Sequence, residues 1–493
     1  MLTIKDIHSA KTERPIKIVQ FGEGNFLRAF ADWMVDILNE KTEFNGGIAI
    51  VKPISAGDLG RFERQNCLYT VVLRGQENGA VVNTSRVVTS VERAEDGADT
   101  WQYLAELAKC PTVRFVISNT TEAGIVLDES DRIDGVPSSY PGKLTKFLYE
   151  RYLAFNGDPS RGIIILPVEL IENNGGKLRE CVFALARLWG LSDVFTEWLA
   201  ESCTFCSTLV DRIVTGYPSA EASAICERLG YKDELLDVGE PFALWVIESE
   251  RDIRSELPFD RAGLPVVFTN NQKPYRERKV RILNGAHTSF VPAAFLSGEE
   301  IVRDCMSHPV IRPFIDTCIY HEIMPTLSGK LDGEDIIRFA DSVCERFENP
   351  FIDHALISIC LNSVSKWKAR VLPSVIDSVS VGNLPHCLIF SFAALCHFYA
   401  SGRMTENGFV GTRTVKREKV PYTVSDSREV IDFFVENRNS SDILQKFASR
   451  TDFWGMDLKE LPGFAELAQK YFDAIFDRGM LPVMKEAVAA SRG

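Results

Sequence analysis

No run of this chain approaches the roughly 20 consecutive apolar residues of a membrane helix, and the opening MLTIKDIHSAKTERP carries no apolar signal core. A cytoplasmic protein with no membrane partner is the expectation. Positive charge is also short: 55 Lys and Arg stand against 68 Asp and Glu, a formal net charge of −13. That balance argues against nucleic acid as the main partner, since a polyanion demands a basic patch. A small anionic substrate stays open, because a cleft sets its own local charge. Paired cysteines are scarce. Of twelve, only Cys203 and Cys206 lie close together, with no second pair to close a zinc site. Their surroundings, ESCTFCSTLV, read as a strand, where residues three apart point to opposite faces. The seven histidines form no HExxH, and His321-Glu322 has no partner four residues on. No metal is expected.

What is present is an ordinary globular composition, 45% hydrophobic and 25% charged over 493 residues, which the length prior spreads over two to four domains. The first structured run is IKIVQF, Ile16 to Phe21, a buried strand by its apolar character. Gly22-Glu23-Gly24-Asn25-Phe26-Leu27-Arg28 follows, then AFADWMVDIL with helical spacing. Strand, glycine turn, helix is the setting in which GxG carries meaning: Gly22 allows the tight turn, and Gly24 lets backbone amides approach a pyrophosphate at the helix N-terminus. Asn25, Phe26 and Arg28 complete this candidate cofactor turn. The third glycine of the usual fingerprint is absent, and Leu27 stands in its place.

GIAIV, Gly47 to Val51, is the next strand of a βαβ unit. Lys52-Pro53 ends it where an acidic residue usually meets the ribose hydroxyl, so NAD against NADP is not settled there. LYTVVLRG and AVVNTSRVVTSV read as an antiparallel insertion, TWQYLAELAKC as a helix and VRFVISN as a strand. That strand runs into Ser118, Thr120 and Glu122, polar groups at the end of a strand in a doubly wound sheet, over the cofactor crevice. GIIILPVELIENNGG is a further strand leading to Glu169 and Asn174, and in TFCSTLVDRIVTGYP the pair Asp211-Arg212 interrupts an apolar run. PVVFTN is the last clear strand. Beyond it the chain reads as helix after helix. The expected fold is therefore an α/β Rossmann-like domain with a mostly parallel sheet, residues 1–272, followed by an all-helical domain, residues 273–493, with the substrate cleft where the two halves meet.

At that junction lies KVRILNGAHTSF, Lys279 to Phe290. On an α-helix at about 100° per residue, Lys279 and His287 stand roughly 80° apart with Asn284 roughly 60° beyond. Ile282, Leu283, Ala286 and Phe290 fill the adjacent, buried arc. An amine, an amide and an imidazole in one polar arc suit proton transfer at a carbinol or carbonyl carbon. A solvated helix edge is the plainer reading of the same spacing.

Five separated runs, QFGEGNFLRAF, SNTTEAG, FCSTLVDRIVTGYP, KPYRERKVRILNGAHT and SKWKARVLPS, closely resemble the polyol-specific long-chain dehydrogenases of the mannitol dehydrogenase family across nearly the whole chain. The resemblance implies a metal-independent, NAD-linked interconversion of an alcohol and a ketone on a small-molecule substrate. It further implies Lys279 as general acid and base, Asn284 as donor to the oxygen that develops charge, and His287 as the group orienting the substrate or supporting Lys279. One departure stands out. Polyol-oxidising relatives carry Cys-Asp-Asn where this chain has Val168-Glu169-Leu170, so a second oxyanion asparagine is missing and Glu169 or Asn174 takes its place. The change favours sugar acids over simple polyols. A carboxylate substrate needs fixed cations, for which Arg278, Arg281, Lys366, Lys368 and Arg370 are the candidates, Arg370 foremost for its bidentate fork. Asn174 and Asp211 are further substrate-binding candidates. Other ketose or polyol substrates within the family remain open, as does a non-catalytic NAD(H)-sensing protein. Oligomeric state is not legible in the chain.

Overall fold

Six short strands, most of them apolar, pair into one parallel sheet in the computed structural model, which describes all residues except 1, 10, 55–57, 122 and 407. They are β1 (Ile16–Phe21), β2 (Gly47–Lys52), β3 (Val91–Asp96), β4 (Phe115–Ser118), β5 (Ile164–Pro167) and β6 (Thr204–Phe205), in the spatial order β3-β2-β1-β4-β5-β6. Every neighbouring pair is parallel. That is the doubly wound arrangement, in which the order of the strands reverses between β1 and β4 and opens a crevice at their C-terminal ends. The side-chain alternation of a strand sends Ile18, Ile48, Ile50 and Ile117 to one face and Val19, Ala49, Val51 and Val116 to the other. Both faces are covered, as a parallel sheet requires. Phe30, Met34 and Trp245 pack on the first, and Leu144, Phe147, Leu178 and Trp198 on the second, the first two from the helix α2 (Tyr140–Ala154) and Leu178 from α3 (Asn174–Leu188).

The sheet belongs to the first of two compact units, Met1–Gln272, the second being Lys273–Gly493. The antiparallel insertion is present as Tyr69–Glu77 paired with Ala80–Val88. ESCTFCSTLV is not one strand: a helix ends at Ser202, and Thr204–Phe205 and Ser207–Asp211 then join different sheets. Cys203 and Cys206 are both buried free thiols.

The second unit is mainly helical. Its centre is α7 (His386–Ala400), in which Cys387 to Phe392 are all buried and the apolar character runs around the whole circumference, the mark of a core helix. Around it pack α4 (Gly285–Leu296), α8 (Phe464–Arg478) and α9 (Met480–Arg492). Pro385 offers α7 no side-chain cap. Glu322 supplies one from elsewhere, its two oxygens accepting the Cys387 and Leu388 N–H groups at 2.8 Å each.

The second half is helical as expected, with one small sheet added to the helices. Arg403–Thr405, Gly408–Val415 and Glu418–Thr423 make a three-stranded antiparallel sheet. Phe409, Gly411 and Arg413 alternate inward with exposed neighbours, and Lys416 and Arg417 both take positive φ at the turn, +48° and +74°. Among the described residues no helix is long and apolar enough to cross a membrane.

Candidate active site

In the first unit the chain leaves β1 through Gly22, whose φ of +122° and whose missing Cβ, which would sit 3.0 Å from the Asn119 carbonyl oxygen, both require glycine. Leu27, where the fingerprint has its third glycine, is buried beneath this turn, and that same Cβ would lie 3.2 Å from its Cδ1. Gly24 is different: nothing lies within 4 Å of where its Cβ would be. It caps a helical run over residues 25–41 whose start receives no side-chain hydrogen bond, leaving an uncapped N-terminus facing open space. A cavity of about 640 Å³ adjoins it, lined by Gly22, Gly24, Asn119, Thr120 and Tyr140 among others. The Tyr140 hydroxyl is buried beside Ser118. A glycine turn and an uncapped helix start bordering one cavity of this size fit a dinucleotide.

Several residues of that turn have duties inside the fold. Arg28 is buried. It donates to the Leu235 carbonyl and the Asn25 side chain and stands 3.6 Å from Asp237, so it fastens the turn to residues 235–237 instead of reaching for phosphate. Phe26 stacks on Phe30 at 4.9 Å. Beneath the turn, Gln20 donates to the Gly22 carbonyl at 3.1 Å, and the Tyr69 hydroxyl donates to Asp32 at 2.7 Å. Asp32 and Asp237 share one arginine, Arg28, in the buried interior, and burial pushes each carboxyl up to about 7.

At the end of β4, Ser118 and Thr120 are gathered by one carboxylate. Glu169 accepts from Ser118 Oγ at 3.1 Å and from Thr120 N and Oγ1 at 3.0 and 3.1 Å. Burial raises its carboxyl and these donors oppose the rise. Thr120 lines the cavity, whereas Ser118 is wholly buried. Glu122 lies outside the described residues. Asn174, expected at the substrate, is committed elsewhere: Nδ2 donates to the carbonyls of Pro167, Glu169 and Thr208 at 2.9 to 3.1 Å, and Oδ1 accepts the N–H groups of Gly175 and Thr208. It ties β5 to α3 and to Ser207–Asp211. Asp211 is buried on that strand, and Arg212 donates to the carbonyls of Ala29, Pro241 and Phe242 with Trp33 stacked 4.4 Å away. Arg212 reads as part of the framework.

In the second unit Lys279–Asn284 is a π-helix feeding directly into α4. Hydrogen bonds from i to i+5 put more residues into each turn than an α-helix holds. The wider winding swings Asn284 back toward the Lys279 side, so the α-helical spacing overstated their separation. Lys279 and Asn284 are both half-buried. Gly285 has a packing reason: a Cβ there would lie 3.0 Å from the Arg370 carbonyl oxygen, so glycine admits the end of the helix α6 (Ser363–Arg370). The Arg370 guanidinium then reaches the Thr288 hydroxyl at 3.4 Å, beside His287.

The five candidate cations separate cleanly. Arg278 pairs with Asp335 and lies over Phe339, and Arg281 pairs with Asp377, so both are spent on the helical framework. Lys368 approaches Gly455. Lys366 donates only to the Ile359 carbonyl at 2.8 Å, and neither it nor Arg370 has a carboxylate at ion-pair distance among the described residues. Burial lowers both below their ordinary range, and Arg370 lowers Lys366 further. Asp426 acts on Lys366 only from beyond ion-pair distance, and two half-buried cations one helical turn apart without a salt bridge make a place for an anion. His287 is held well below the usual histidine range, first by burial and then by His354, Arg346, Arg370 and Lys366. It is a neutral imidazole at physiological pH. His354 and Arg346 escaped the sequence reading because each stands alone, with no local pattern to mark it.

Cys318, Glu322 and Cys387 are the one group among the described residues close enough to hold a metal. The carboxylate is already spent capping α7, and the two thiols are buried small groups beside it.

The chain matches two family models end to end, one described as the mannitol dehydrogenase Rossmann domain over residues 16–260 and one as the mannitol dehydrogenase C-terminal domain over residues 271–476. It is 43% identical over 490 residues to the altronate oxidoreductase of Bacillus subtilis (strain 168), covering 98% of this chain and 97% of that one. It is 41% identical over 480 residues to the altronate oxidoreductase of Bacteroides thetaiotaomicron, covering 96% and 97%. Among solved structures, Pseudomonas fluorescens mannitol 2-dehydrogenase in ternary complex with NAD and D-mannitol superposes with a TM-score of 0.66 at 21% identity, over 97% of this chain and 95% of that one. A substrate-free D-sorbitol dehydrogenase superposes at 0.76, also at 21% identity, over 98% and 100%.

Proposed function

The chain belongs to the mannitol dehydrogenase family, and from that premise we propose that it interconverts D-altronate and D-tagaturonate with NAD and NADH. The observation that carries the substrate class is the pair Lys366 and Arg370 beside His287, neither of them in a salt bridge among the described residues and with the more distant Asp426 opposing the depression of Lys366. A neutral polyol leaves two half-buried cations unanswered, while a sugar acid brings the carboxylate they lack. The altronate oxidoreductases that share 41–43% of its residues over nearly the full length support the same acid.

The nucleotide would be held by the Gly22–Gly24 turn, the uncapped start of residues 25–41 and Thr120. When bound, nicotinamide supplies the hydride acceptor in oxidation and the donor in reduction. NAD over NADP is favoured because Lys52 stands 3.9 Å from Asp96, which offsets the cation a 2′-phosphate would seek. In oxidation Lys279 takes the hydroxyl proton as hydride leaves the same carbon, and in reduction it returns that proton to the carbonyl oxygen. Asn284, swung toward Lys279 by the π-turn, donates to the oxygen as charge grows on it. His287, neutral, hydrogen-bonds a substrate hydroxyl without adding charge. Lys366 and Arg370 grip the carboxylate and so fix which carbon is presented.

The test is a substrate panel. NADH oxidation is followed with D-tagaturonate, D-fructuronate and D-fructose. The proposal expects D-tagaturonate to give the highest kcat/KM and the neutral ketose the lowest. D-fructuronate in first place corrects the epimer, equal turnover of D-fructose refutes the carboxylate argument, and NADH binding with no turnover of any of them leaves a nucleotide-sensing protein.

A further inference from the structure

Among the described residues, Nε2 of His287 is a buried ring nitrogen with no hydrogen-bond partner. Leaving such an atom unpaired costs about 1–3 kcal/mol, and an unrestrained ring would turn to relieve it. Three aromatic neighbours surround this one: Phe290, one turn on in the same helix with its centroid 6.0 Å away, and two rings from elsewhere in the chain. Phe347, the last residue of the helix α5 (Gly333–Phe347), places its ring centroid 4.2 Å away, and His354 meets the ring edge-to-face at 5.5 Å and 78°. His354 is itself tied down by its backbone. Its carbonyl accepts the Val302 N–H at 3.0 Å, and the next residue, Ala355, bridges to Ile301. The ring that touches His287 is thus mounted on a fixed strut.

We infer that His354 is a positioning residue of this site: its edge-to-face contact sets the plane of the His287 ring and keeps Nε2 turned to where a substrate hydroxyl arrives. The inference rests on the proposed function, because it takes a sugar acid to be the missing partner of Nε2. The charge pattern agrees with it. Lys366, Arg370 and Arg346 surround His287, and His354 is lowered by burial and then by Lys366. A second neutral imidazole can therefore brace the first without adding another cation beside the carboxylate subsite. Bracing of this kind acts on geometry. A catalytic group displaced by about 1 Å loses on the order of a hundredfold in rate while ground-state binding changes far less.

The experiment compares His354→Ala with His354→Phe in the full-length protein. With D-altronate and NAD, His354→Ala is expected to lower kcat about 10- to 100-fold with KM changed less than about threefold, and His354→Phe, which keeps the edge of a ring against His287, to restore kcat to within about threefold of the parent. A parental kcat in His354→Ala overturns the inference. So does a His354→Phe variant as slow as the alanine one, since the nitrogen and not the ring plane would then matter. A second readout needs no substrate. In protein labelled with ¹⁵N-histidine, and with His287→Gln used for assignment, the His287 ring should give one sharp Nε2 signal in the parent and in His354→Phe, and a shifted or divided one in His354→Ala. An unchanged signal in His354→Ala overturns the inference even if the acids prove not to be substrates, which separates this failure from failure of the proposed function.

Discussion

Replacing Asn174 with alanine tests whether a polar residue expected at the substrate is instead a structural tie. The side chain makes five hydrogen bonds, three donated to the carbonyls of Pro167, Glu169 and Thr208 and two accepted from the N–H groups of Gly175 and Thr208. The carbonyls are partly insured: Pro167 also accepts from the Thr208 hydroxyl, and Glu169 also accepts the Ile171 N–H at 2.7 Å. The two amides are the expensive loss, because Gly175 and Thr208 are buried. Two orphaned buried donors at roughly 1–3 kcal/mol each, with partial loss at the carbonyls, give about 4 kcal/mol. For a unit of this size that lowers Tm by about 8 °C. Thermal melting by circular dichroism reads the fall, and steady-state kinetics well below the melt should return a nearly parental KM for the acid. An unchanged Tm with a raised KM refutes the reasoning and returns Asn174 to the substrate.

Three further outcomes follow from the same geometry. Asp32 is buried with its carboxyl pushed up from 3.8 to about 7, so the folded state binds more protons than the unfolded chain between those values and stability falls as pH rises from about 4 to about 7. Asp32→Asn should flatten that slope in urea melts and gain up to about 4 kcal/mol at pH 8, whereas a variant less stable than the parent at pH 8 contradicts the assignment. Gly22→Ala forces a side chain into φ +122° and toward the Asn119 carbonyl, and should weaken NADH binding about tenfold in a fluorescence titration; parental affinity would show that the turn does not shape the nucleotide site. Arg370→Leu removes one of the two cations that stand outside any salt bridge, for about 2 kcal/mol or a roughly thirtyfold higher KM for the acid; an unchanged KM would place the carboxylate elsewhere.

The centre of the doubly wound sheet was legible in the chain because its inner strands are buried on both faces and read as unbroken apolar runs, and because Gly22 needs a backbone conformation that few other residues adopt, whereas the edge strand Val91–Asp96, charged and only half-buried, left no such run. The grouping of Lys279, Asn284 and His287 was legible as a polar arc, but the π-turn that adjusts it is a hydrogen-bond register with no composition of its own. The C-terminal sheet hid behind Lys416 and Arg417, which resemble a helix surface until the alternation of Phe409, Gly411 and Arg413 is set against them. Arg28 and Asn174 were assigned to ligands because residue type reveals what a side chain can bond, not what folding brings to it. Their partners, Leu235, Asp237 and Thr208, are distant in sequence. His354 left no trace for the same reason, since its meaning lies in a ring 67 positions away.

The central claim is that the Lys279 amine exchanges a proton with the oxygen of a carbon whose hydride nicotinamide carries. The most direct measurement is single-turnover NADH oxidation by D-tagaturonate in the parent and in Lys279→Met, with NADH affinity determined separately for each. A rate lowered by about 10³ or more, at the upper end of what positioned acid–base catalysis contributes, with NADH affinity kept, is the predicted result. A variant that turns over within about tenfold of the parent contradicts it.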